Sequence, residues 1–423
     1  MFAATTEHTP SEAEEGELDG SVNGVIPGSV IQPGVSMVVE LDPEGVVPLA
    51  PGSRTRYPAE GAQPLRVAAP PLFRQIMIPT VATQTPDESV HEWTDGLTPE
   101  SPQLRLARTL MPVASMEVEV GATYRTGSNL SSGGGWSEWI REIRVLYEQG
   151  GRRGYYYGVV RVPSPFYGGL GYVGYPVSVG LTSPGIYAHE LGHNMNLWHA
   201  PCGGAGGPDP NYPYDGGSIG IWGYDIHEHR ILDPRDYNDV MGYCSMDWIS
   251  DYHFSRATRH RLQGDGGVIL GGDGRAVDGQ DRGEMLVVWG SVQDGQVRLD
   301  PAFVLDGPPV LPESGGDYRV EGLGQDGRTE FSLSFTPTPL EFGGGSFVFF
   351  VPWEEYWAGS LDRIVLKGPE GEDTLTRDGA MAIAVVTDPS TGRIQAIIRD
   401  WDGGPLPGEG TANVTITRGI PGG

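Results

Sequence analysis

Residues 189–199 read His-Glu-Leu-Gly-His-Asn-Met-Asn-Leu-Trp-His, and this run decides the fold and the chemistry that we expect. An α-helix turns about 100° per residue, so His189 and His193 lie one turn apart on the same face. Both imidazoles can then reach one ion. Zinc binds imidazole nitrogen, and catalytic zinc sites keep three protein ligands and one open position. Glu190 lies beside this face, where its carboxylate can reach a water on the metal without being a ligand.

His199 becomes the third ligand only if the helix ends before it. A continuous helix would carry His199 about 240° around the axis from His193. Asn196 lies where the chain must turn, and Asn readily adopts the left-handed conformation of a helix C-cap. We therefore predict one zinc per chain, held by His189, His193 and His199. A buried helix whose histidines only form hydrogen bonds is the alternative.

The same run resembles the zinc-binding motif of the metzincin metalloproteases, with Asn196 in the place of the usual Gly. Residues 239–244, Asp-Val-Met-Gly-Tyr-Cys, resemble the metzincin Met-turn. The resemblance implies that Met241 forms an apolar floor under the imidazoles. It also implies that Tyr243 lies near the zinc and stabilises the transition state. Ordinary core packing is the alternative for both residues.

A wider stretch, residues 189–254, is similar to bacterial secreted zinc metalloproteases related to the mucin-cleaving metzincins of enteric bacteria. Residues 31–40 have a weaker resemblance to the β-domain that precedes the catalytic part of such proteins. The resemblance implies an endopeptidase that hydrolyses extracellular proteins, with O-glycoproteins as one candidate class. Extended peptides or glycoproteins are then the partners. In this chemistry Glu190 is the general base for a zinc-activated water.

Cys202 and Cys244 are the two cysteines of the chain. In a reducing compartment they would be two buried thiols. The resemblance places Cys202 three residues beyond the last ligand and Cys244 three residues beyond the Met-turn methionine. If both segments converge under the zinc, the two sulfurs come within bonding reach. We therefore expect a disulfide that ties the ends of residues 203–243.

The composition restricts the class of protein and the kind of partner. The chain has 28 Lys and Arg residues against 55 Asp and Glu residues, a net charge of −27 at pH 7. Such a surface repels phosphate, so we do not expect a nucleic-acid partner. No run of about 18 apolar residues predicts a membrane span. We expect a secreted or cell-surface protein whose signal peptide is not present in this chain, because residues 1–20 lack an apolar core.

The pattern of short apolar runs and turns predicts an α+β metzincin-like catalytic domain, flanked by a β-rich N-terminal segment and a C-terminal all-β sandwich. The predicted regions are a disordered leader at 1–24, a β-rich region at 25–111, the catalytic domain at 112–264, a Gly/Asp-rich linker at 265–284 and the sandwich at 285–423.

Within the catalytic domain, three segments lead to the site. Apolar residues recur at helical spacing from Trp136 to Tyr147, which predicts a helix. Tyr172–Leu181 is predicted to be one strand that lines the substrate cleft and pairs with an extended peptide. Ser183 and Pro184 then open the helix that carries the histidines and runs to about Leu197, with Ser183 as its cap.

Other acidic and histidine residues could form further sites. A second metal site could involve His227, His229, His253 and His260, although polar loop histidines are the alternative that we favour. The predicted linker could take Ca²⁺ through Asp265, Asp273, Asp278, Asp281 and Glu284, but it lacks the EF-hand order of ligands. Asp209 and Asp215 are similar candidates in the long loop after His199.

Two other classes of function stay open. The first is a glycan-binding or adhesive protein with a structural zinc, which four protein ligands and no open position would reveal. The second is a zinc hydrolase that acts on bonds other than peptide bonds.

Overall fold

A computed structural model of the protein describes residues 2–4, 16–245, 247–264, 282–313, 315–379, 382–408 and 410–422. Among these residues the α-helices are α1 His91–Thr94, α2 Pro102–Leu110, α3 Gly133–Gln149, α4 Pro184–Asn194, α5 Asp251–Leu262 and α6 Trp357–Ser360. Short 3₁₀ helices are formed by Leu18–Gly20, Gly28–Val30, Glu88–Val90 and Asp215–Gly217. No helix in the described ranges has both the length and the apolar character needed to cross a membrane.

The strands before α5 are β1 Ser36–Met37, β2 Val39–Glu40, β3 Arg56–Tyr57, β4 Gln63–Pro64, β5 Phe73–Ala82, β6 Met116–Val120, β7 Tyr124–Thr126, β8 Tyr155–Val160, β9 Gly169–Gly171, β10 Val177–Leu181, β11 Gly223–Asp225, β12 Arg230–Leu232, β13 Asn238–Asp239 and β14 Asp247–Trp248. The strands after α5 are β15 Gly283–Gln293, β16 Gln296–Leu299, β17 Phe303–Gly307, β18 Tyr318–Gly324, β19 Thr329–Phe335, β20 Thr338–Pro339, β21 Gly345–Pro352, β22 Leu361–Gly368, β23 Gly371–Thr376, β24 Ile383–Thr387, β25 Ile394–Ile398 and β26 Asn413–Thr417.

A nine-stranded mixed sheet forms the centre of the molecule. Its order is β26-β24-β25-β7-β5-β8-β10-β9, with β6 also paired to β5. The central strand β5 runs parallel to β6, β7 and β8, and β10 runs parallel to β8. Strand β9 pairs antiparallel with β10 and ends the sheet on this side.

Both faces of the central sheet are covered, as the alternation of buried residues in β5 shows. Ile76 and Ile78 pack in one core with α3, whereas Met77 and Val81 pack in another with α2 and α4. Successive side chains of a strand point to opposite faces, so one strand contributes to two cores. The helix that carries the histidines therefore lies on the face opposite to α3.

Two antiparallel sheets pack beyond α3. The five-stranded sheet has the order β16-β15-β21-β20 with β17 beside β15, and the four-stranded sheet has the order β19-β18-β22-β23. Leu286 and Val288 of β15 pack with the four-stranded sheet, while Met285 and Val287 pack in the core that contains α3. Strand β15 thus joins the pair of sheets to the central layer.

Buried ion pairs reinforce this junction. Asp300 accepts hydrogen bonds from Arg141 of α3 at 2.9 Å and from Arg399 at 2.9 Å, and Arg399 also donates to Glu142 at 2.8 Å. All four side chains are buried. Breaking a buried pair typically costs about 3–5 kcal/mol, so these contacts hold the layers in one arrangement.

The structure differs from the sequence predictions in its strand pairing. Tyr172–Leu181 is not one strand: β9 ends at Gly171, a turn follows with Gly174 at a φ of 71°, and β10 begins at Val177. Strand β10 is paired on both sides, so the end strand of the sheet is β9. Gly174 interrupts the apolar run because its left-handed conformation ends the strand.

The central sheet also crosses the predicted region boundaries. Strand β5 lies within residues 25–111, and β24, β25 and β26 lie within residues 285–423, yet all four belong to the sheet of the predicted catalytic domain. Pairing between distant strands is not visible in local composition. Residues 1 and 5–15 of the predicted leader lie outside the described residues. So do Asp265, Asp273, Asp278 and Asp281 of the predicted Ca²⁺ linker, whereas Glu284 lies in β15.

Candidate metal centre

The helix α4 begins and ends where its sequence requires. Pro184 is its first residue, and the Ser183 hydroxyl accepts a hydrogen bond from the Ile186 N–H at 3.4 Å. The helix ends at Asn194, and Asn196 has a φ of 66°, in the left-handed region. This turn directs the chain back so that His199 faces the other two histidines.

The three imidazoles converge through their Nε2 atoms. Each ring contacts a backbone carbonyl through Nδ1: the oxygens are those of Val240 (2.7 Å from His189), Leu197 (2.8 Å from His193) and Gly206 (2.5 Å from His199). A carbonyl only accepts, so each Nδ1 must carry the proton and each Nε2 must present a lone pair. The Nε2 atoms of His189 and His193 are 3.1 Å apart.

This arrangement fits a divalent metal ion. Two unprotonated nitrogens at that distance repel each other unless a cation lies between them. Burial lowers the pKa of His189 and His193 to about 3 and that of His199 to about 4. The rings are therefore neutral near pH 7, which is the form that binds a metal. Three imidazole nitrogens are a donor set typical of zinc.

Glu341 is a fourth potential ligand that sequence analysis did not single out. It follows β20, its carboxylate Oε2 contacts the His193 Nε2, and the same oxygen lies 3.8 Å from the His199 Nε2. One ligand atom from each of the three histidines and Glu341 lies within 4.8 Å of the others. No spacing or motif links this residue to the histidine run, because it comes from another sheet.

Glu190 lies beside Glu341 and the end strand β9. Its side chain faces Gly169 and Gly171 of β9, and a Cβ on Gly169 would overlap the Glu190 Oε1. Glycine at this position therefore makes room for the carboxylate. Within the described part of the chain, the buried Glu190 Oε2 has no hydrogen-bond partner. A buried polar atom without a partner indicates a missing ligand or ion.

The two carboxyl groups of the site are coupled. Burial, together with the nearby charge of Glu341, raises the pKa of Glu190 well above its usual range. Burial also raises the pKa of Glu341 to about 7. A divalent cation beside them would oppose both changes, since positive charge favours the ionised carboxylate. The raised pKa values thus reflect the burial of two carboxyl groups close to each other.

A second segment, residues 239–243, packs against α4 and reaches His199. Met241 is fully buried and packs against Gly192 of α4. The Tyr243 hydroxyl lies 3.3 Å from the His199 Nε2, and the Tyr243 side chain is 47% exposed. The segment is held by Asp239, whose carboxylate accepts hydrogen bonds from the Met241 N–H and from His253 Nδ1, both at 2.9 Å. Although burial opposes ionisation, the contact with His253 helps to hold the pKa of Asp239 below its usual value.

Residues 123–253 match the Peptidase M66 family, a metallopeptidase family. The matched range contains the three histidines and Glu190 and ends before Glu341. The chain is also 39% identical, over 70 residues, to a Dictomallein-like protein of Hahella chejuensis (strain KCTC 2396). That alignment covers 16% of this chain and 11% of the relative, so the chain spans only a small part of the relative's length. The family match indicates a peptidase, and the histidine site could hold its metal.

The other predicted ligands that the structure describes do not join this site. Across the described ranges, only the three histidines and Glu341 form a group of His, Cys, Asp and Glu residues close enough to hold a metal. His253 contacts Asp239, and His229 Nδ1 lies 3.1 Å from the Tyr224 hydroxyl. Asp209 accepts a hydrogen bond from Arg256 at 2.8 Å. Asp215, His227 and His260 lie elsewhere, in a 3₁₀ helix, the β11–β12 turn and α5, respectively.

The expected disulfide between Cys202 and Cys244 is present, with their Cα atoms 5.6 Å apart. The Tyr243 N–H donates to the Cys202 carbonyl at 3.1 Å, so the two loop ends also share a backbone hydrogen bond. Replacing both cysteines with Ser should lower the free energy of unfolding by about 4 kcal/mol, because the open loop gains entropy when unfolded. Denaturant titration measures the loss. Two free thiols in the unfolded, unreduced parent protein would contradict the disulfide.

The turn at Asn196 gives a further prediction. Asn196→Gly should fold and bind metal like the parent, because Gly adopts a positive φ without strain. Asn196→Val should be destabilised by at least about 1–2 kcal/mol and should displace His199, since a β-branched residue opposes this conformation. Thermal unfolding and metal analysis of both variants measure the difference. Equal metal content and stability in the two variants would show that the turn does not position the ligand.

Proposed function

We propose that the protein is a zinc-dependent endopeptidase of the metzincin type, with His189, His193 and His199 as the metal ligands. The observation that carries the proposal is the convergence of three unprotonated Nε2 atoms beside the buried Glu190 carboxylate. The match of residues 123–253 to a peptidase family supports the same reaction class. The metzincin assignment is supported by a third ligand beyond a left-handed turn and by Met241 packed against α4.

Each polar group of the site then has a role in peptide hydrolysis. Zinc in such a site supplies a Lewis acid that polarises the scissile carbonyl and makes water more acidic. Glu190 accepts the proton of the attacking water and delivers it to the leaving amine. Tyr243 has an exposed side chain and a hydroxyl close to His199, so it can donate a hydrogen bond to the carbonyl oxygen as negative charge develops there.

The proposed substrates are extended peptide segments of extracellular proteins, including O-glycosylated ones. The end strand β9 offers backbone groups with which an extended chain can pair. The glycoprotein class rests on the sequence resemblance described above. A secreted or cell-surface location is supported by the Cys202–Cys244 disulfide, because disulfides persist mainly in oxidising compartments.

One observation favours the alternative of a structural zinc in a glycan-binding or adhesive protein. Glu341 brings the number of protein side chains that could bind the metal to four, and a closed four-ligand site is typical of structural zinc. Glu190 argues against this alternative. A structural site has no use for a buried carboxylate that lies beside the ligands and has one oxygen, Oε2, without a hydrogen-bond partner in the described chain.

Incubation with a panel of proteins and O-glycoproteins tests the proposal. We expect new peptide ends, detected by mass spectrometry, that disappear with a chelator and return with added zinc. Glycoproteins should be compared before and after deglycosylation. Equal cleavage of both forms would remove the glycan part of the proposal. An identical set of fragments with and without chelator would contradict a metal-dependent reaction.

A further inference from the structure

A hairpin from the five-stranded sheet pairs with the chain at the carboxyl end of the end strand β9. We name residues 338–346 the cleft hairpin; they comprise β20, a turn and the start of β21. The Glu341 N–H donates to the Gly171 carbonyl at 3.3 Å, and the Val173 N–H donates to the Pro339 carbonyl at 3.0 Å. The hairpin segment runs antiparallel to the end of β9. It therefore occupies backbone groups at this end of β9 with which an extended peptide could otherwise pair.

Two side chains of the cleft hairpin cover the site itself. The Glu341 carboxylate reaches the histidines and also accepts a hydrogen bond from the Gly171 N–H at 3.3 Å. Phe342 stacks on Tyr167, with ring centres 4.9 Å apart, and its ring centre lies 5.6 Å from that of His199. Glu341 thus lies where it would bind the metal, and Phe342 packs against His199 beside it.

As a result, the ligands and the predicted base have little exposed surface. His193 and His199 are fully buried, His189 is 9% exposed and Glu190 is 3% exposed. Hydrolysis of a peptide requires an open position at the metal and contact between water and the base. The proposed function and this closed arrangement are compatible only if the cover can move.

From these contacts we infer that the cleft hairpin is an internal occupant of the peptide-binding cleft, with Glu341 in the fourth position at the metal until the hairpin is displaced. This inference rests on the proposed function. The hairpin then keeps the peptidase latent, and an extended substrate or a conformational change that withdraws the hairpin tip, residues 341–344, opens the site.

The construction of the hairpin permits such a movement. Its turn contains Gly343 and Gly344, both with positive φ, and Phe342 is 38% exposed. The sheet behind it is held by the core around α3, to which Leu340 of the hairpin also belongs, and by the ion pairs of Asp300. The tip of the hairpin, residues 341–344, can therefore leave the cleft while Leu340 and the two sheets stay in place. Loops that cover active sites are typically withdrawn in this way.

Binding of acetohydroxamate, a zinc chelator that needs an open position, tests the inference without relying on catalysis. Zinc-loaded parent, Glu341→Ala and Phe342→Ala proteins are titrated by calorimetry, with Glu372→Ala, an exposed carboxylate of β23, as the matched control. Glu341→Ala should retain zinc on three imidazoles. If the open form of the parent is about 1–10% populated, the affinity for acetohydroxamate should rise about 10–100-fold. Phe342→Ala should shift in the same direction although it keeps the carboxylate, and Glu372→Ala should match the parent.

Peptide cleavage by the same four proteins separates this inference from the proposed function. If Glu341→Ala cleaves peptides faster than the parent and a chelator stops this cleavage, both the latent hairpin and the peptidase function are supported. Equal acetohydroxamate affinity and equal cleavage rates in parent and Glu341→Ala would overturn the inference that the cleft hairpin blocks the site. The proposed peptidase function would be unaffected. Loss of zinc from Glu341→Ala with an unchanged Phe342→Ala would also overturn it, because Glu341 would then be a permanent ligand. Tighter acetohydroxamate binding with no cleavage by any variant supports a displaceable hairpin and overturns the peptidase.

Discussion

Glu190→Gln should lower the rate of peptide hydrolysis by about 10²–10⁴-fold, the loss typical of removing a positioned general base. Gln has nearly the shape of Glu, so it fits against Gly169 and Gly171 without new overlap. It cannot accept the proton of the attacking water. Zinc content and thermal stability should therefore stay close to those of the parent, because Glu190 is not a ligand.

The measurement is the initial rate on one peptide substrate, with metal analysis and thermal unfolding of the same samples. Glu372→Gln, an exposed carboxylate in β23, is the matched control and should hydrolyse the peptide at the parent rate. Hydrolysis by Glu190→Gln at the parent rate would show that another group is the base.

His199→Ala should produce the second large effect, a loss of zinc. The variant keeps only His189, His193 and Glu341 near the metal, and it leaves a cavity where the buried third imidazole was. Losing a residue that only orients a ligand typically lowers metal affinity about 10–100-fold. Losing His199, a ligand itself, should lower the zinc affinity by more than that. Hydrolysis should fall with it.

Competition with a chelating dye measures this affinity. His229→Ala is the control, since His229 lies in the β11–β12 turn and contacts Tyr224 rather than the site. Unchanged zinc affinity in His199→Ala would contradict the three-histidine site and would favour a site completed by Glu341.

The parts of the site that sequence analysis predicted are those fixed by local geometry. The spacing of His189 and His193 follows from the helix period, and the turn before His199 follows from the preference of Asn196 for a left-handed conformation. The position of α3 follows from helical spacing in the same way, although α3 extends further, from Gly133 to Gln149. The disulfide was expected from a resemblance that placed its two segments under the same site.

The parts that sequence analysis missed depend on contacts between distant segments. Glu341 reaches the histidines only because β20 and β21 extend past the end of β9, and no local pattern encodes that meeting. The contact that holds Asp239 beside Met241 also could not be predicted, because its partner His253 comes from a separate helix, α5. One sheet contains β5 from the N-terminal part of the chain and β24, β25 and β26 from the C-terminal part. Local composition cannot predict this pairing.

Glu341 also determines how an inactive preparation should be interpreted. Low hydrolysis by the parent would have two explanations. The protein is a latent peptidase whose site is closed by the hairpin, or its zinc is structural. The Glu341→Ala variant opens the fourth position while it keeps the three imidazoles and Glu190. Any decisive measurement of activity should therefore include this variant beside the parent.

Zinc reconstitution of the chelated protein is the most direct of these measurements. Parent and Glu341→Ala proteins are stripped of metal, zinc is added back in steps, and peptide hydrolysis is recorded at each step. A peptidase with one zinc held by three histidines should show no hydrolysis without metal, a rise in proportion to bound zinc, and saturation at about one zinc per chain. Hydrolysis that survives complete removal of the metal, or full zinc binding with no hydrolysis by either protein, would contradict it.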